Sequence, residues 1–128
     1  ELTVFPIAAV CRDFTYIDNV IQANQLALLA SDSSAVNQVY NVAFGERTNL
    51  NQLFEYLREN LAQFDSAIAK VDAIHGPTLV GDIPHSQACI DKAKNLLGYV
   101  PEFNMRKGLQ QATKWYFENL QNQDRMQS

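Results

Sequence analysis

The sequence predicts an α+β fold that is rich in helix, with about four helices and two or three short strands. Four segments have the apolar spacing or the capping residues of helices, whereas only two short runs have the composition of strands. The 128 residues have the length of one domain, so we expect residues 1–128 to form a single unit. Two or three strands are too few to make a complete sheet.

The composition excludes several classes of protein. With 47% hydrophobic and 19% charged residues the chain is ordinary for a globular protein, and its net charge of -4 argues against a nucleic-acid partner. No apolar run approaches the ~20 residues of a membrane span. The two cysteines, Cys11 and Cys89, have no CxxC spacing, so we expect neither a disulfide framework nor a metal site. A reduced chain of this kind is expected in the cytoplasm.

The first helix is predicted from Asp18 onward, after a segment at residues 1–11. Asp18 or Asn19 is the expected N-cap, because its side chain can accept backbone N–H bonds that lack a partner within the helix. Apolar residues occupy most of the helix circumference, which predicts a helix packed between layers. Residues 38–44, with the sequence QVYNVAF, are rich in β-branched and aromatic residues and predict a short strand.

The second helix is predicted from a capping-box pattern, Asn49 followed three residues later by Gln52. Residues 67–74, with the sequence AIAKVDAI, predict a strand or an extended segment. The apolar positions of the helix fit a single stripe: Leu50, Leu53, Phe54, Leu57, Leu61 and Phe64.

Two further helices are predicted in the last third of the chain. A short one starts at Asp91, with Gly98 as its left-handed cap and Pro101 preventing continuation. The last runs from about Met105 to Leu120, and residues 122–128 are expected to be a frayed tail. One face of this helix is predicted to carry Leu109, Ala112, Thr113, Tyr116 and Leu120, with Trp115 and Phe117 beside it.

The residues alone provide no catalytic set. The five glycines have neither the GxGxxG nor the phosphate-loop spacing, no tyrosine is followed by lysine four places later, and GxSxG is absent. Two places could hold a ligand. Arg12 offers a forked donor suited to phosphate oxygens, and the loop at 79–87 offers Asp82, His85, Ser86 and Gln87 as hydrogen-bonding groups for sugar or ribose hydroxyls. The alternatives are that Arg12 pairs with a carboxylate and that Asp82 caps a turn.

Three sequence blocks follow one another in a distinctive order: RDFTYIDNVIQANQLALLA, QVYNVAFGERTNLNQLFEYLRENL and GDIPHSQACIDKAKNLLGYVPEFNMRKGLQQATKWY. Their order resembles one family, the extended short-chain dehydrogenase/reductases of the NAD-dependent epimerase/dehydratase type. The resemblance is to their UDP-N-acetylhexosamine 4-epimerase branch. It covers about residues 12–120 and maps onto the C-terminal, substrate-binding part of that family.

The resemblance implies roles for the candidate residues. Arg12 would contact the diphosphate of a UDP-sugar, Asp82 the ribose, and the loop at His85 and Ser86 would lie near the hexose. In the family, the N-terminal Rossmann half binds NAD and carries the catalytic Tyr-xxx-Lys pair. We therefore expect no cofactor and no catalysis from these 128 residues alone.

Departures from the family pattern predict weak binding. The family's Arg-x-Gly-Asp motif begins here with Leu79, so the second arginine for the diphosphate is missing. Pro84 stands where the family has a further arginine, and Cys89 stands where it has an aspartate. Loss of one charged contact to phosphate costs about 1.5–3 kcal/mol, roughly 10- to 150-fold in affinity. Cys89 in place of aspartate is expected to move helix capping to Asp91.

Three functional hypotheses follow. The first is a silent, homo-oligomeric homologue of the substrate-binding part, in which a second copy covers the apolar face of the first helix and the free edge of the strand at 38–44. The second is one part of a split epimerase whose Rossmann half is supplied in trans. The third is an interaction protein that docks on an intact epimerase.

Overall fold

A computed structural model describes residues 3–4, 11–75 and 86–126, with side chains from 11 to 74 and from 86 to 120. It confirms the α+β class, because four α-helices are combined with short strands. In chain order the elements are β1 (Thr3–Val4), β2 (Cys11–Arg12), α1 (Ile17–Leu29), β3 (Thr48–Asn49), α2 (Leu50–Leu61), a 3₁₀ helix (Ser66–Lys70), β4 (Ile74–His75), α3 (Asp91–Leu97) and α4 (Met105–Met126).

The strands form two separate two-stranded ladders. β1 runs parallel to β4, with Thr3 opposite Ile74. β2 runs antiparallel to β3, with Cys11 opposite Asn49 and Arg12 opposite Thr48. The second ladder joins the segment that precedes α1 to the segment that precedes α2. It therefore determines the position of the Arg12 backbone.

The N-cap predicted for α1 is wrong. The helix begins at Ile17, with Tyr16 as the N-cap two to three residues before the predicted caps and with no side-chain cap bond. Asn19 lies inside the helix and is 1% exposed. Its Nδ2 donates to the Phe103 carbonyl at 2.7 Å, and its Oδ1 accepts from the N–H groups of Glu102 at 3.0 Å and Phe103 at 3.1 Å. Asn19 therefore joins α1 to the chain that leads into α4.

Only one face of α1 is covered by the described residues. Asn19 and Ala23 are buried, whereas Leu28 is 85% and Leu29 78% exposed, with Ile17 and Ile21 about half exposed on the same helix. The helix is thus packed on one side, and the layer expected on its other side is not formed by the described part of the chain.

The strand predicted at residues 38–44 is also wrong, since no strand is found between Gln38 and Phe44. A strand needs a neighbouring backbone for its hydrogen bonds, and no described strand lies beside this segment. This segment instead takes part in hydrogen bonds made by side chains. The buried Tyr99 hydroxyl donates to the Ala43 carbonyl at 2.8 Å, and Tyr40 donates to Ala35 at 2.6 Å.

The capping box of α2 is confirmed. The Gln52 N–H donates to the Asn49 side chain at 2.8 Å, and the Asn49 N–H donates back to the Gln52 side chain at 3.1 Å. Phe54 is buried, and Phe64 stacks on Phe117 of α4 with ring centroids 4.4 Å apart. The predicted apolar stripe therefore does join α2 to α4.

The prediction of an extended segment at residues 67–74 is wrong for its first half. After α2 the chain forms the 3₁₀ helix, because the Asp65 side chain accepts from the Ala67 N–H at 2.9 Å and caps this turn. Only Ile74, at the end of the predicted segment, lies in a strand.

α3 ends as predicted, with Gly98 in the left-handed region at φ 69°. It also starts at Asp91 as predicted, with Ile90 as the N-cap and no side-chain cap bond. The capping role expected for Asp91 is thus wrong. The core lies between α1 and α3 and consists of Ala23, Ala43, Ile90, Ala93 and Tyr99.

α4 is longer than predicted, because it continues to Met126 through part of the expected tail. Its buried face agrees with the prediction only in part. Thr113 is buried and Leu109 and Ala112 are half-buried, as predicted. Tyr116 and Leu120, however, are more than half exposed, and Gly108, which was not predicted, is buried. A Cβ on Gly108 would lie 2.7 Å from the Tyr16 Cβ, so glycine is required for this close approach. None of the helices described is both long and apolar enough to cross a membrane.

Candidate functional site

The candidate site is built around β2, whose position brings two distant parts of the sequence together. The Ser86 N–H donates to the Cys11 carbonyl at 3.1 Å, and Cys11 directly precedes Arg12. Arg12 is half-buried, and its guanidinium donates to the Cys11 carbonyl at 3.1 Å. Arg12 and the start of the segment at Ser86 therefore share one edge, as the predicted ligand set requires.

Asp13 organises this edge from the next position in the chain. Its carboxylate accepts from the Gly45 N–H, with both oxygens at 3.2 Å, and from the Ala88 N–H at 3.3 Å. Gly45 has φ 90°, a left-handed conformation that side chains disfavour. The sequence showed an Arg–Asp pair, but it did not show which backbone groups the aspartate would hold.

Two further bonds join the loop at Gly45 to the segment that follows Ser86. The Gln87 Nε2 donates to the Gly45 carbonyl at 2.7 Å, and the Asn41 Nδ2 donates to the Cys89 carbonyl at 3.2 Å. With the Asp13 bonds, these contacts fix the two segments against each other.

The four predicted site residues fare differently. Arg12 and Ser86 lie at the same edge, and the Ser86 side chain is exposed. Asp82 and His85 lie outside the described residues, so their contacts with ribose and hexose stay predictions.

An open cleft adjoins this edge, and sequence reasoning missed it. The cleft has a volume of about 380 Å³ and contains two cations, Arg47 and Lys94, which we use to name it the Arg47–Lys94 cleft. Only the fold brings Lys94 into one cleft with Arg47, since the two residues are far apart in the sequence. The cleft is lined by Phe44, Gly45, Arg47, Gln87, Ala88, Cys89, Ile90, Asp91 and Lys94.

The electrostatics of the neighbouring tyrosines favour their neutral forms. Burial, and then the nearby Asp13 charge, raises the pKa of Tyr99. Burial, and then Asp18, raises the pKa of Tyr16. Both hydroxyls thus remain protonated at neutral pH, and that of Tyr99 serves as a donor to Ala43.

The arrangement can bind an anion, because the guanidinium of Arg12 and the Arg47 and Lys94 cations of the cleft are donors for anionic oxygens. Within residues 11–74 and 86–120, no group of three acidic, histidine or cysteine side chains could hold a metal ion. The Cys89 thiol, which also lines the cleft, donates to the Asp91 carboxylate at 3.5 Å.

No family model matches the sequence. The chain is 30% identical over 117 positions to UDP-glucuronate 4-epimerase 4 of Arabidopsis thaliana, covering 84% of this chain and 26% of that protein. It is 27% identical over 121 positions to the UDP-glucuronate 4-epimerase of Thermodesulfobacterium geofontis, covering 94% of this chain and 34% of the relative. The chain spans between about a quarter and a third of the length of the curated relatives it matches.

Solved structures agree. The UDP-glucose 4-epimerase of Thermotoga maritima, solved with UDP-glucose, matches with a TM-score of 0.77 and 31% identity, over 94% of this chain and 36% of the other. The UDP-glucuronic acid 4-epimerase of Bacillus cereus, solved with UDP-glucuronic acid and NAD, has a TM-score of 0.66 at 26% identity, covering 84% of this chain and 32% of that one.

Proposed function

We propose a function from the premise that this chain belongs to the NAD-dependent epimerase/dehydratase family and corresponds to the C-terminal part of its nucleotide-sugar epimerases. The chain is a sugar-nucleotide-binding homologue that holds a UDP-sugar weakly and is catalytically silent alone. The observation that supports this proposal is the bond between the Ser86 N–H and the Cys11 carbonyl, because Ser86 belongs to the block that resembles the family's substrate loop and Cys11 directly precedes Arg12.

Each predicted residue has a stated task in the bound complex. Arg12 pairs with a diphosphate oxygen, Asp82 accepts from a ribose hydroxyl, and His85 and Ser86 face the hexose. With Leu79 in place of the second arginine, affinity is expected in the millimolar range, near -4 kcal/mol. The relatives are named for UDP-glucose and UDP-glucuronate, and the sequence resembles the N-acetylhexosamine branch, so all three sugars are the probes.

The test is a thermal-shift titration of the 128-residue chain with UDP-glucose, UDP-glucuronic acid, UDP-N-acetylglucosamine and NAD. Stabilisation grows with ligand concentration over Kd, so millimolar UDP-sugar raises the melting temperature and NAD does not. Arg12→Gln abolishes the shift. Arg106→Gln, which removes an exposed cation paired with Glu59 at 3.0 Å, leaves it unchanged. Tight NAD binding, or equal responses from the two variants, would refute the proposal.

The exposed face of α1 supports a homo-oligomer. Leu28 and Leu29 on this helix, with the 85% exposed Val39 of the following segment, present apolar side chains to solvent. Uncovered apolar surface promotes association, and a second copy is the occupant we propose, as a homodimer or higher oligomer. Sedimentation is then expected to give at least twice the 14.4 kDa chain mass. A concentration-independent monomer contradicts this part of the proposal.

The same face also fits the two alternative functions. A dinucleotide-binding half supplied in trans would cover it in a split epimerase and restore NAD-dependent activity, and an intact epimerase would cover it in an interaction role. Co-expression with such a protein, followed by co-purification and an epimerase assay, distinguishes both from the homo-oligomer. Free Cys11 and Cys89 support a reducing, cytoplasmic location.

A further inference from the structure

The Arg47–Lys94 cleft has walls that are held in place by the protein itself. Asp13 binds the N–H groups of Gly45 and Ala88, and Gln87 binds the Gly45 carbonyl at 2.7 Å. These contacts join the loop on one side of the cleft to the segment on the other. A ligand would therefore meet a preformed surface and would not have to order it.

The charge of the cleft is positive. Arg47 and Lys94 line it with one acid, Asp91, whose carboxylate accepts from the Cys89 thiol at 3.5 Å. Neither cation has a hydrogen-bond or ion-pair partner within the described residues. Lys92, on the same helix, differs, since its Nζ donates to the Gln38 side chain at 2.9 Å and lies over the Tyr40 ring.

These side chains match a phosphate group on a small organic molecule. A guanidinium fork and an ammonium are the donors that proteins use for phosphate oxygens. The lining also includes apolar groups, Phe44, Ala88 and Ile90, against which the organic part can lie. The volume of about 380 Å³ exceeds the need of a bare phosphate and falls in the range of small-molecule pockets.

We propose that the Arg47–Lys94 cleft is a second binding site, one for a small phosphorylated molecule, separate from the Arg12 edge. Arg47 and Lys94 bind the phosphate, and Phe44 with Ile90 contacts the remainder. This inference does not depend on the proposed UDP-sugar binding, because it uses other side chains and predicts changes at other amides.

The test follows the backbone amide signals of the ¹⁵N-labelled chain during titration with glucose 1-phosphate, and with glucose as the uncharged control. Saturable shifts are expected at Gly45, Arg47 and Lys94, with a dissociation constant of about 1–10 mM. Glucose produces none. Arg47→Gln and Lys94→Gln each weaken binding about threefold or more, as expected for loss of one exposed charge contact.

Two variants control for overall charge and for the other site. Lys92→Gln removes the same charge from the same helix, and Arg12→Gln removes the cation of the other edge; both are expected to keep affinity within about twofold. Equal weakening by Lys92→Gln and Lys94→Gln would overturn the proposal, as would loss of binding in Arg12→Gln or the absence of saturable shifts at the cleft. Failure of this test leaves the UDP-sugar titration unaffected, and the reverse also holds.

Discussion

Replacement of Asp13 by asparagine tests whether one carboxylate holds the candidate site together. Asp13 accepts from the N–H groups of Gly45 and Ala88, at 3.2 and 3.3 Å. In Asp13→Asn one carboxylate oxygen becomes an NH₂ group. With the amide oxygen at the Oδ2 position both N–H groups keep an acceptor, but that acceptor is uncharged and the NH₂ group lies against the Gly45 N–H, where two donors cannot bond to each other.

The magnitude follows from these contacts. A hydrogen bond to a charged group contributes about 1.5–3 kcal/mol and one between neutral groups about 0.5–1.5 kcal/mol, so the amide binds each of the two N–H groups about 1 kcal/mol less strongly. The distances are at the long end for hydrogen bonds, and Asp13 is half-buried, so we expect a loss of about 2 kcal/mol in the free energy of unfolding. For a chain of this size, that corresponds to roughly 6–10 °C in melting temperature.

The assay is urea unfolding followed by circular dichroism, with Asp72→Asn as the control. Asp72 is exposed and belongs to the segment before β4, so its replacement removes the same charge without these contacts. The control is expected to change stability by less than about 0.5 kcal/mol. If Asp13→Asn is as stable as the control, the Asp13 contacts do not stabilise the fold and the reasoning is refuted. If Asp13→Asn also binds UDP-sugar more weakly than the original chain when both are fully folded, Asp13 has the further role of positioning Arg12.

Three further predictions use the same unfolding measurement. Gly108→Ala places a Cβ 2.7 Å from the Tyr16 Cβ and is expected to cost about 1–3 kcal/mol; an unchanged stability would contradict this close approach. Asn19→Ala removes three hydrogen bonds from a buried amide and leaves their partners unpaired, for a loss of about 2–4 kcal/mol, and a loss below about 1 kcal/mol would contradict it. Because the pKa of Tyr99 is raised above its ordinary 10.0 in the folded chain, the stability it contributes is present below pH 10.0 and is lost as pH rises further. Tyr99→Phe is therefore less stable at pH 7, since the Ala43 carbonyl loses its donor, but its stability falls less steeply above pH 10.0; parallel falls would be the contrary result.

Features that local chemistry decides were predictable from the sequence. The capping box from Asn49 to Gln52 and the left-handed cap at Gly98 each involve residues within one turn of each other, and both were confirmed. The composition and the order of the apolar runs were also sufficient for the α+β class.

Features that depend on residues far away in the chain were not predictable from the sequence. Asn19 has the composition of a cap, but the backbone at Phe103 binds its side chain inside the helix. Residues 38–44 have the composition of a strand but no described neighbour to pair with. On α4, Gly108 packs closely against Tyr16, and apolar spacing alone did not indicate that this glycine belongs to the buried face.

The candidate site divides in the same way. Arg12 and Ser86 were proposed from chemistry and resemblance, and the ladder of β2 with β3 and the bond to Cys11 bring them to one edge. Asp13, Arg47 and Lys94 were missed because each acquires its role from residues far away in the chain. A search for isolated charged residues near glycine loops would have found Arg47, which lies two residues after Gly45. It would not have shown that Arg47 and Lys94 line the same cleft.

The three bonds of Asn19 have a mechanical consequence. They clamp the middle of the first turn of α1 to the backbone at Glu102 and Phe103, just ahead of α4. A protein that binds Leu28 or Leu29 and tilts α1 must therefore also move the N-terminal end of α4. Binding at the exposed end of α1 is thereby coupled to the position of α4.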